Sequence, residues 1–213
     1  MTKSILATAL LIAASGVLLS LDLPSPWIKR GSHPDKYEMG IAKGAGQNSS
    51  NAATIRSIEK NIDGFGTLMQ NILPGKYSGK RVRMSGFMKS TDVAEWAGFW
   101  MRVDRVNTAL EGDSISASTL SFDNMEDRAI KGTTDWKKYQ VVLDVPANAT
   151  RIAFGALLAG TGQIWFDNVK FEIVDKSIPA TQASEEIDAG KMEKKLYNSF
   201  AVSREPGNLN FEK

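Results

Sequence analysis

The chain has 213 residues, of which 42% are hydrophobic and 23% charged, with a formal net charge of +2 and no cysteine. This composition is typical of an ordinary globular protein, and the small net charge argues against nucleic acid or an anionic membrane surface as a partner. The absence of cysteine excludes disulfides, thiolate metal sites and a lipid-modified N-terminal cysteine.

The N-terminus has the pattern of a targeting segment. Lys3 precedes an uncharged, mostly aliphatic run over residues 4–21, and small residues occupy positions 13–16. These are the parts of a secretory signal, and the run is near the lower limit for a membrane-crossing helix. Residues 1–22 are therefore predicted to be a cleaved signal peptide or an uncleaved helical anchor, with a buried helix of the mature fold as the third alternative. A signal peptide or an anchor both predict an exported chain, which would be periplasmic, extracellular or membrane-anchored. Contact with the membrane is expected only if the anchor is not cleaved.

Residues 23–175 are predicted to form one antiparallel β-sandwich. Their first part is rich in Pro, Gly, Ser and Asn, with a short strand expected over residues 36–42 and either a strand or a short helix over 52–60. From Gly64 onwards strand-length runs recur between turn clusters, and apolar and polar side chains alternate along them. Short strands with regular turn signals indicate an all-β sandwich or barrel. The predicted core rows are Val82, Met84 and Met88; Phe99, Met101 and Val103; Tyr139, Val141, Leu143 and Val145; and Ile152, Phe154, Ala156 and Leu158.

Residues 176–213 differ in character from the rest. The stretch up to Lys195 is polar, and a weak helical pattern covers residues 185–200, so that a linker or surface helix is expected there. The chain then ends in a strand-like segment over residues 205–213.

Several motifs between Gly64 and Pro179 occur together in one known type of domain. They are Gly64-Phe65-Gly66, Lys80-Arg81-Val82-Arg83, Thr133-Thr134-Asp135-Trp136 and Asp167-Asn168-Val169-Lys170-Phe171-Glu172. With these motifs the segment resembles the galactose-binding-like jelly roll of carbohydrate-binding modules. More narrowly, Trp96–Asp104 and Leu120–Met125 are similar to an uncharacterised bacterial version of that domain, sometimes found in proteins described as AraC-type transcriptional regulators.

The resemblance implies an antiparallel jelly-roll β-sandwich that binds carbohydrate and performs no catalysis. The resemblance does not imply DNA binding or transcriptional regulation, because the sequence shows no helix-turn-helix pair and its net charge is near neutral. Modules of this kind generally open with a strand that reads Asn-Leu-x-Phe-Glu, and here that motif occupies Asn208–Glu212. The hypothesis is that the tail folds back and returns this strand, as in a circularly permuted sandwich; the alternative is an ordinary tail.

Trp100, Arg102 and Asp104 form the first candidate ligand site. They alternate with the core row, so that all three are expected on the opposite face of one strand. An exposed tryptophan can stack on the C–H groups of a sugar while a guanidinium and a carboxylate bond its hydroxyls. Trp96 and Arg83 are expected on the same surface. The alternative is that a loop covers this face and that Arg102 and Asp104 form only a cross-strand ion pair.

Asp123 and Asn124 are the second candidate ligand residues. Leu120 and Phe122 are expected to point inward, which turns Asp123 outward beside a polar loop. The pair is predicted to form either a polar rim around the ligand or a turn built on Asx side-chain hydrogen bonds.

Asp167 is the candidate metal ligand, because a carboxylate inside a strand needs a partner. The resemblance implies a structural calcium there, with Glu212 or backbone carbonyls near Gly40 completing a shell of oxygen ligands. The alternative is a β-bulge at Asp167-Asn168 in which backbone amides satisfy the carboxylate.

Catalysis is not expected. His33 is the only histidine, it has no evident partner, and most nucleophilic triads need histidine or cysteine. The predicted function is an exported, non-catalytic binding module for carbohydrate or a glycan-bearing envelope component. The alternatives are a protein-interaction or structural accessory domain of the cell envelope and a hydrolase that uses carboxylates.

Overall fold

The computed structural model describes residues 18–107, 114–182, 187–193 and 202–212. Its helices are four short 3-10 turns, at Pro34–Lys36, Gln47–Ser49, Gly75–Tyr77 and Glu126–Arg128. The strands are β1 (Leu19–Ser20), β2 (Ile28–Gly31), β3 (Tyr37–Ala42), β4 (Ala52–Ser57), β5 (Phe65–Ile72), β6 (Lys80–Asn107), β7 (Ser114–Asp123), β8 (Ile130–Val145), β9 (Arg151–Ala159), β10 (Gln163–Val174) and β11 (Ile187–Glu193). The predicted all-β antiparallel class is confirmed.

The predicted targeting helix lies almost wholly outside the described residues. Only its end is described, and there Leu19 and Ser20 form β1, paired with Ala42 and Ile41 of β3. Within the described ranges no helix is long and apolar enough to cross a membrane.

The strands form one curled antiparallel sheet with two facing layers. The first layer has the order β1-β3-β4-β10-β6-β8, and the second has the order β2-β5-β9-β6-β7-β11. Strand β6, with 28 residues, belongs to both: its first part pairs with β10 and β8, and its second part with β9 and β7. Strand β6 passes from the first layer to the second near Asp92, whose φ of 51° bends the strand. Gly162 contacts the backbone at this bend so closely that a Cβ on it would lie 2.7 Å from the Asp92 carbonyl oxygen.

The core lies between the layers, and aromatic rings join them. Phe99 of the second layer meets Phe166 of the first edge-on, with ring centroids 5.9 Å apart, and Phe154 meets Phe171 at 4.5 Å. All but one of the residues in the four predicted core rows are buried, and the exception, Tyr139, is half-buried against the others. Alternation of apolar side chains therefore predicted correctly which residues face inward.

The expected helix after residue 185 is wrong where the structure describes it. Residues 187–193 form β11, which pairs with β7 at the edge of the second layer. An edge strand presents unpaired N–H and C=O groups that attract another strand, and this tertiary contact outweighs a weak helical pattern. Residues 194–201 lie outside the described part of the chain.

The C-terminal segment 202–212 docks between the layers, but not as the predicted strand. Its one β-bridge is parallel, between Ile72 and Ser203, and residues 208–212 have turn and irregular structure. Phe211 nevertheless inserts into the core beside Trp27, and the Leu209 carbonyl accepts a hydrogen bond from the Val169 N–H. The tail thus joins the sandwich through side-chain packing and single hydrogen bonds.

Candidate functional site

A groove of about 560 Å³ lies on the outer face of the second layer. Strand β9 contributes Arg151, Leu157 and Ala159 to its lining, and the outward positions between them carry the small residues Ala153 and Gly155. Gly155 is required by close strand packing, since a Cβ there would lie 2.1 Å from the Leu68 carbonyl oxygen. Low side chains on the central strand and larger ones on its neighbours make this face concave.

Trp100 forms one side of the floor and is only 8% exposed. Its ring packs in a small cluster with Met69 and Leu157, and its Nε1 donates to Thr67 Oγ1 at 2.9 Å. The expected exposed stacking ring is therefore wrong for this residue: the face was assigned correctly, but the concave sheet covers the indole. Trp96, half-buried in the same groove, and the 38% exposed Phe122 offer aromatic surface instead.

Arg102, Asp104 and Arg151 form a charged cluster at one end of the groove. The Asp104 carboxylate is buried and receives Arg102 Nε at 2.9 Å and Arg151 Nη2 at 2.8 Å. The predicted ion pair between Arg102 and Asp104 is present, but it lies within one strand. Sequence reasoning missed Arg151, because no local pattern shows that the first residue of β9 lies beside Asp104.

The opposite end of the groove carries carboxylates. Asp63 and Glu95 both line it, close to Gly64. Beneath them the buried Tyr37 hydroxyl lies 3.0 Å from the Gly64 carbonyl oxygen and 2.8 Å from that of Gly160. Burial, and secondarily the charge of Glu95, raises the pKa of Tyr37 to about 12. The Tyr37 hydroxyl therefore bridges the loop that contains Gly64 and the loop that contains Gly160.

The Tyr37 contact predicts a pH-dependent stability. Because its pKa is higher in the folded chain than the ordinary value of 10, Tyr37 contributes stability that is complete below about pH 10 and is lost as the pH rises towards about 12. Tyr37→Phe should cost about 1–2 kcal/mol at neutral pH and flatten this alkaline loss. Urea unfolding between pH 8 and 12 measures both effects. Equal alkaline slopes in the wild type and the variant would contradict the assignment.

The other predicted ligand residues do not all lie in the groove. Arg83 lies in the first layer, paired with Glu172 at 3.1 Å, and does not reach the groove. Asp123 is buried rather than outward, while Phe122 lines the groove. The reason is a register shift between β6 and β7 that leaves Leu120 without a partner and reverses the alternation after it.

Asp123 and Asn124 build the predicted Asx turn. Asp123 Oδ1 accepts the Met125 N–H at 2.8 Å, and Asn124 Oδ1 accepts the Glu126 N–H at 3.2 Å. Asp123 also pairs with Arg128 at 2.6 Å. Asn124 lies at the groove wall, so that only this member of the pair reaches the candidate site.

Asp167 is fully buried at a β-bulge and is surrounded by hydrogen-bond donors. Its carboxylate accepts the N–H groups of Asn168 at 2.5 Å and Gln47 at 3.2 Å, and the Ser50 hydroxyl at 2.7 Å. Glu212 reaches the same loop and accepts the Asn51 N–H at 2.7 Å. Across the described residues, no three acidic, histidine or cysteine side chains converge on a metal site.

Comparisons with known proteins give a partial match in sequence and a distant one in structure. No known family profile matches the chain. The uncharacterized HTH-type transcriptional regulator YbfP of Bacillus subtilis (strain 168) is 42% identical over 156 residues, which are 73% of this chain and 50% of the relative. The chain thus spans half the length of that curated relative.

Among solved structures, the apo form of a cyclase from Fischerella sp. superposes with a TM-score of 0.50 at 13% identity, covering 75% of this chain and 89% of the cyclase. The CBM22-1-GH10 modules of Clostridium thermocellum xylanase 10B, complexed with xylohexaose, give a TM-score of 0.49 at 13% identity, over 70% of this chain and 26% of the other. The cyclase supports the fold alone, and the xylanase similarity is too low to support an inference about ligands.

Proposed function

We propose that this chain is a non-catalytic binding domain of the jelly-roll type whose ligand is a carbohydrate held in the groove. The observation that carries the proposal is the groove itself, which combines aromatic surface from Trp96 and Phe122 with charged groups at both ends. Sugar rings present apolar C–H faces and polar hydroxyl edges, and this combination matches both. Its volume of about 560 Å³ lies within the usual range of small-ligand pockets, roughly 300–1,000 Å³.

The shape of this surface argues against a flat protein interface, which would present a broad apolar patch. The hydrolase alternative has one feature in its favour, because Asp63 and Glu95 line the same end of the groove and paired carboxylates are the equipment of glycosidases. Incubation of the protein with each bound oligosaccharide, followed by product analysis, separates binding from cleavage.

The test is a glycan array followed by calorimetry with the Trp96→Ala variant. Loss of the partly exposed ring should weaken binding of the retained glycans by about 1–3 kcal/mol, or roughly five- to 150-fold in Kd. Trp165→Ala is the matched control, because Trp165 is also half-buried but lies in the first layer. Absence of any glycan ligand, or equal losses in both variants, would reject the proposal.

The similarity to a transcriptional regulator over half of its length favours a second candidate role, in which the groove is a sensor for a small ligand. In that case the isolated domain should bind mono- or disaccharides as tightly as longer chains. A polymer-anchoring module should instead gain affinity with each added sugar unit that the groove accommodates.

Export, attachment to the cell envelope and calcium binding stay predictions. Export is checked by localising the full chain after expression in a bacterium. For calcium, a bound ion would stabilise the folded chain by mass action, so that addition of Ca²⁺ to chelated protein should raise the Tm. An unchanged Tm would leave the hydrogen-bonded bulge at Asp167 as the complete account of that residue.

A further inference from the structure

The Arg102 end of the groove has the parts of a site for an anionic group. Asn71, Ala153 and Arg102 lie side by side on three adjacent strands, because Ala153 pairs with Asn71 on one side and with Arg102 on the other. Arg102 and Asn71 both line the groove, while Ala153 between them is fully buried. Arg151, two residues before Ala153 in the same strand, faces the same side.

Asn71 carries a hydrogen-bond donor whose acceptor is missing. The residue is 3% exposed and lines the groove, and its Nδ2 has no partner among the residues that the structure describes. Buried amide groups are almost always hydrogen-bonded. The nearest charged side chains of this end are arginines, and Asp104 already accepts from Arg102, Arg151 and Thr119. A bound ligand oxygen would supply the acceptor that Asn71 lacks.

Arg102 also offers an exposed cation at this end. The Asp104 carboxylate pairs with both Arg102 and Arg151. Arg102 binds Asp104 through Nε, and 40% of its side chain remains exposed. The guanidinium and the amide nitrogen both offer N–H donors. A hydrogen bond from a guanidinium to a carboxylate is stronger than one to a neutral hydroxyl, so that this end favours an oxyanion.

We propose that the ligand is an acidic sugar, in which a uronate carboxylate binds between Arg102 and Asn71. The inference rests on the proposed function, since it assigns a substituent of the sugar that the groove holds. The Asn71 amide reaches the carboxylate by rotation about χ2, a torsion with a broad energy profile. The Asp104 carboxylate fixes Arg102 in place, so that the guanidinium is ordered before the ligand arrives.

The experiment compares acidic and neutral forms of the same oligosaccharides by calorimetry. The pairs are oligogalacturonates against their methyl esters, and xylo-oligosaccharides with and without a glucuronate branch. The acidic form should bind at least about tenfold more tightly, the effect of one charge-assisted hydrogen bond. The measured quantity is the ratio of the two affinities, which is insensitive to a general loss of binding.

Three variants locate the effect. Arg102→Gln and Asn71→Leu should each reduce the acidic-to-neutral ratio towards one, and Asn71→Asp, which keeps the shape but adds a repelling charge, should bring it below one. Arg83→Gln removes the same positive charge from the first layer and should leave the ratio unchanged. Thermal unfolding of each variant checks that it is folded.

A ratio of one in the wild-type protein would overturn the inference and leave carbohydrate binding intact. Equal reduction of the ratio by Arg83→Gln would also overturn it, because the effect would then be one of total charge. Failure to bind any sugar, acidic or neutral, would instead reject the proposed function, so that the two failures are distinguishable.

Discussion

Replacement of Phe211 by alanine is expected to lower the free energy of unfolding by about 3–5 kcal/mol, the range found for buried phenylalanines. The side chain is 2% exposed. Its ring lies 5.1 Å from that of Trp27 and 5.3 Å from that of Phe166, measured between centroids. The variant leaves a cavity between the two layers, and it also weakens the contact that holds the last residues against the sandwich.

Phe122→Ala is the matched control, because the same atoms are removed from a residue that is 38% exposed. It should cost less than about 1.5 kcal/mol, since little area is withdrawn from water there. In a chain of this size 1 kcal/mol corresponds to roughly 2–4 °C in Tm, so that Phe211→Ala should lower the Tm by about 10 °C. Equal Tm values for the two variants would show that the tail is not docked in solution.

Asp104→Asn should be about as damaging as Phe211→Ala. Asparagine keeps the shape of the side chain but removes the negative charge with which Arg102 and Arg151 pair, and Arg151 is 96% buried. Removal of one member of a buried ion pair costs about 3–5 kcal/mol, because the remaining charge has lost its solvation as well as its partner. The Asp104 hydrogen bond from Thr119 is also weakened.

The control for this change is Glu172→Gln, which breaks the half-exposed pair with Arg83. A surface pair contributes about 0–1 kcal/mol, so that this variant should unfold almost like the wild type. Urea unfolding at pH 7 measures both. If Asp104→Asn lost no more stability than Glu172→Gln, the Arg102–Asp104–Arg151 cluster would be as solvated as a surface ion pair.

The sequence predicted the strands well because their apolar side chains follow a period of two. This rule places Phe99, Met101 and Val103 in the core without reference to any other strand. It failed at Asp123, where one unpaired residue, Leu120, reverses the faces. A bulge depends on the partner strand, which the local sequence does not reveal.

The candidate site was predictable in part for the same reason. Alternation placed Trp100, Arg102 and Asp104 on the outer face, and the structure agrees. It gave no indication of how deep each side chain lies, because depth depends on the curvature of the sheet and on small residues of another strand, such as Gly155. Asn71 and Arg151 were not predicted as groove residues, because their positions there depend on neighbours that are far away in the sequence.

The docking of Ser203 has a consequence for ligand binding. Its N–H donates to the Asn71 carbonyl at 2.9 Å, and its own carbonyl accepts from the Leu73 N–H at 2.9 Å. The tail is therefore hydrogen-bonded to β5 at Asn71, whose side chain lines the groove. If a ligand of the groove binds more tightly when the tail is docked, linkage requires that the ligand stabilise the docked tail by the same factor. A variant that releases the tail would then lower the affinity for that ligand.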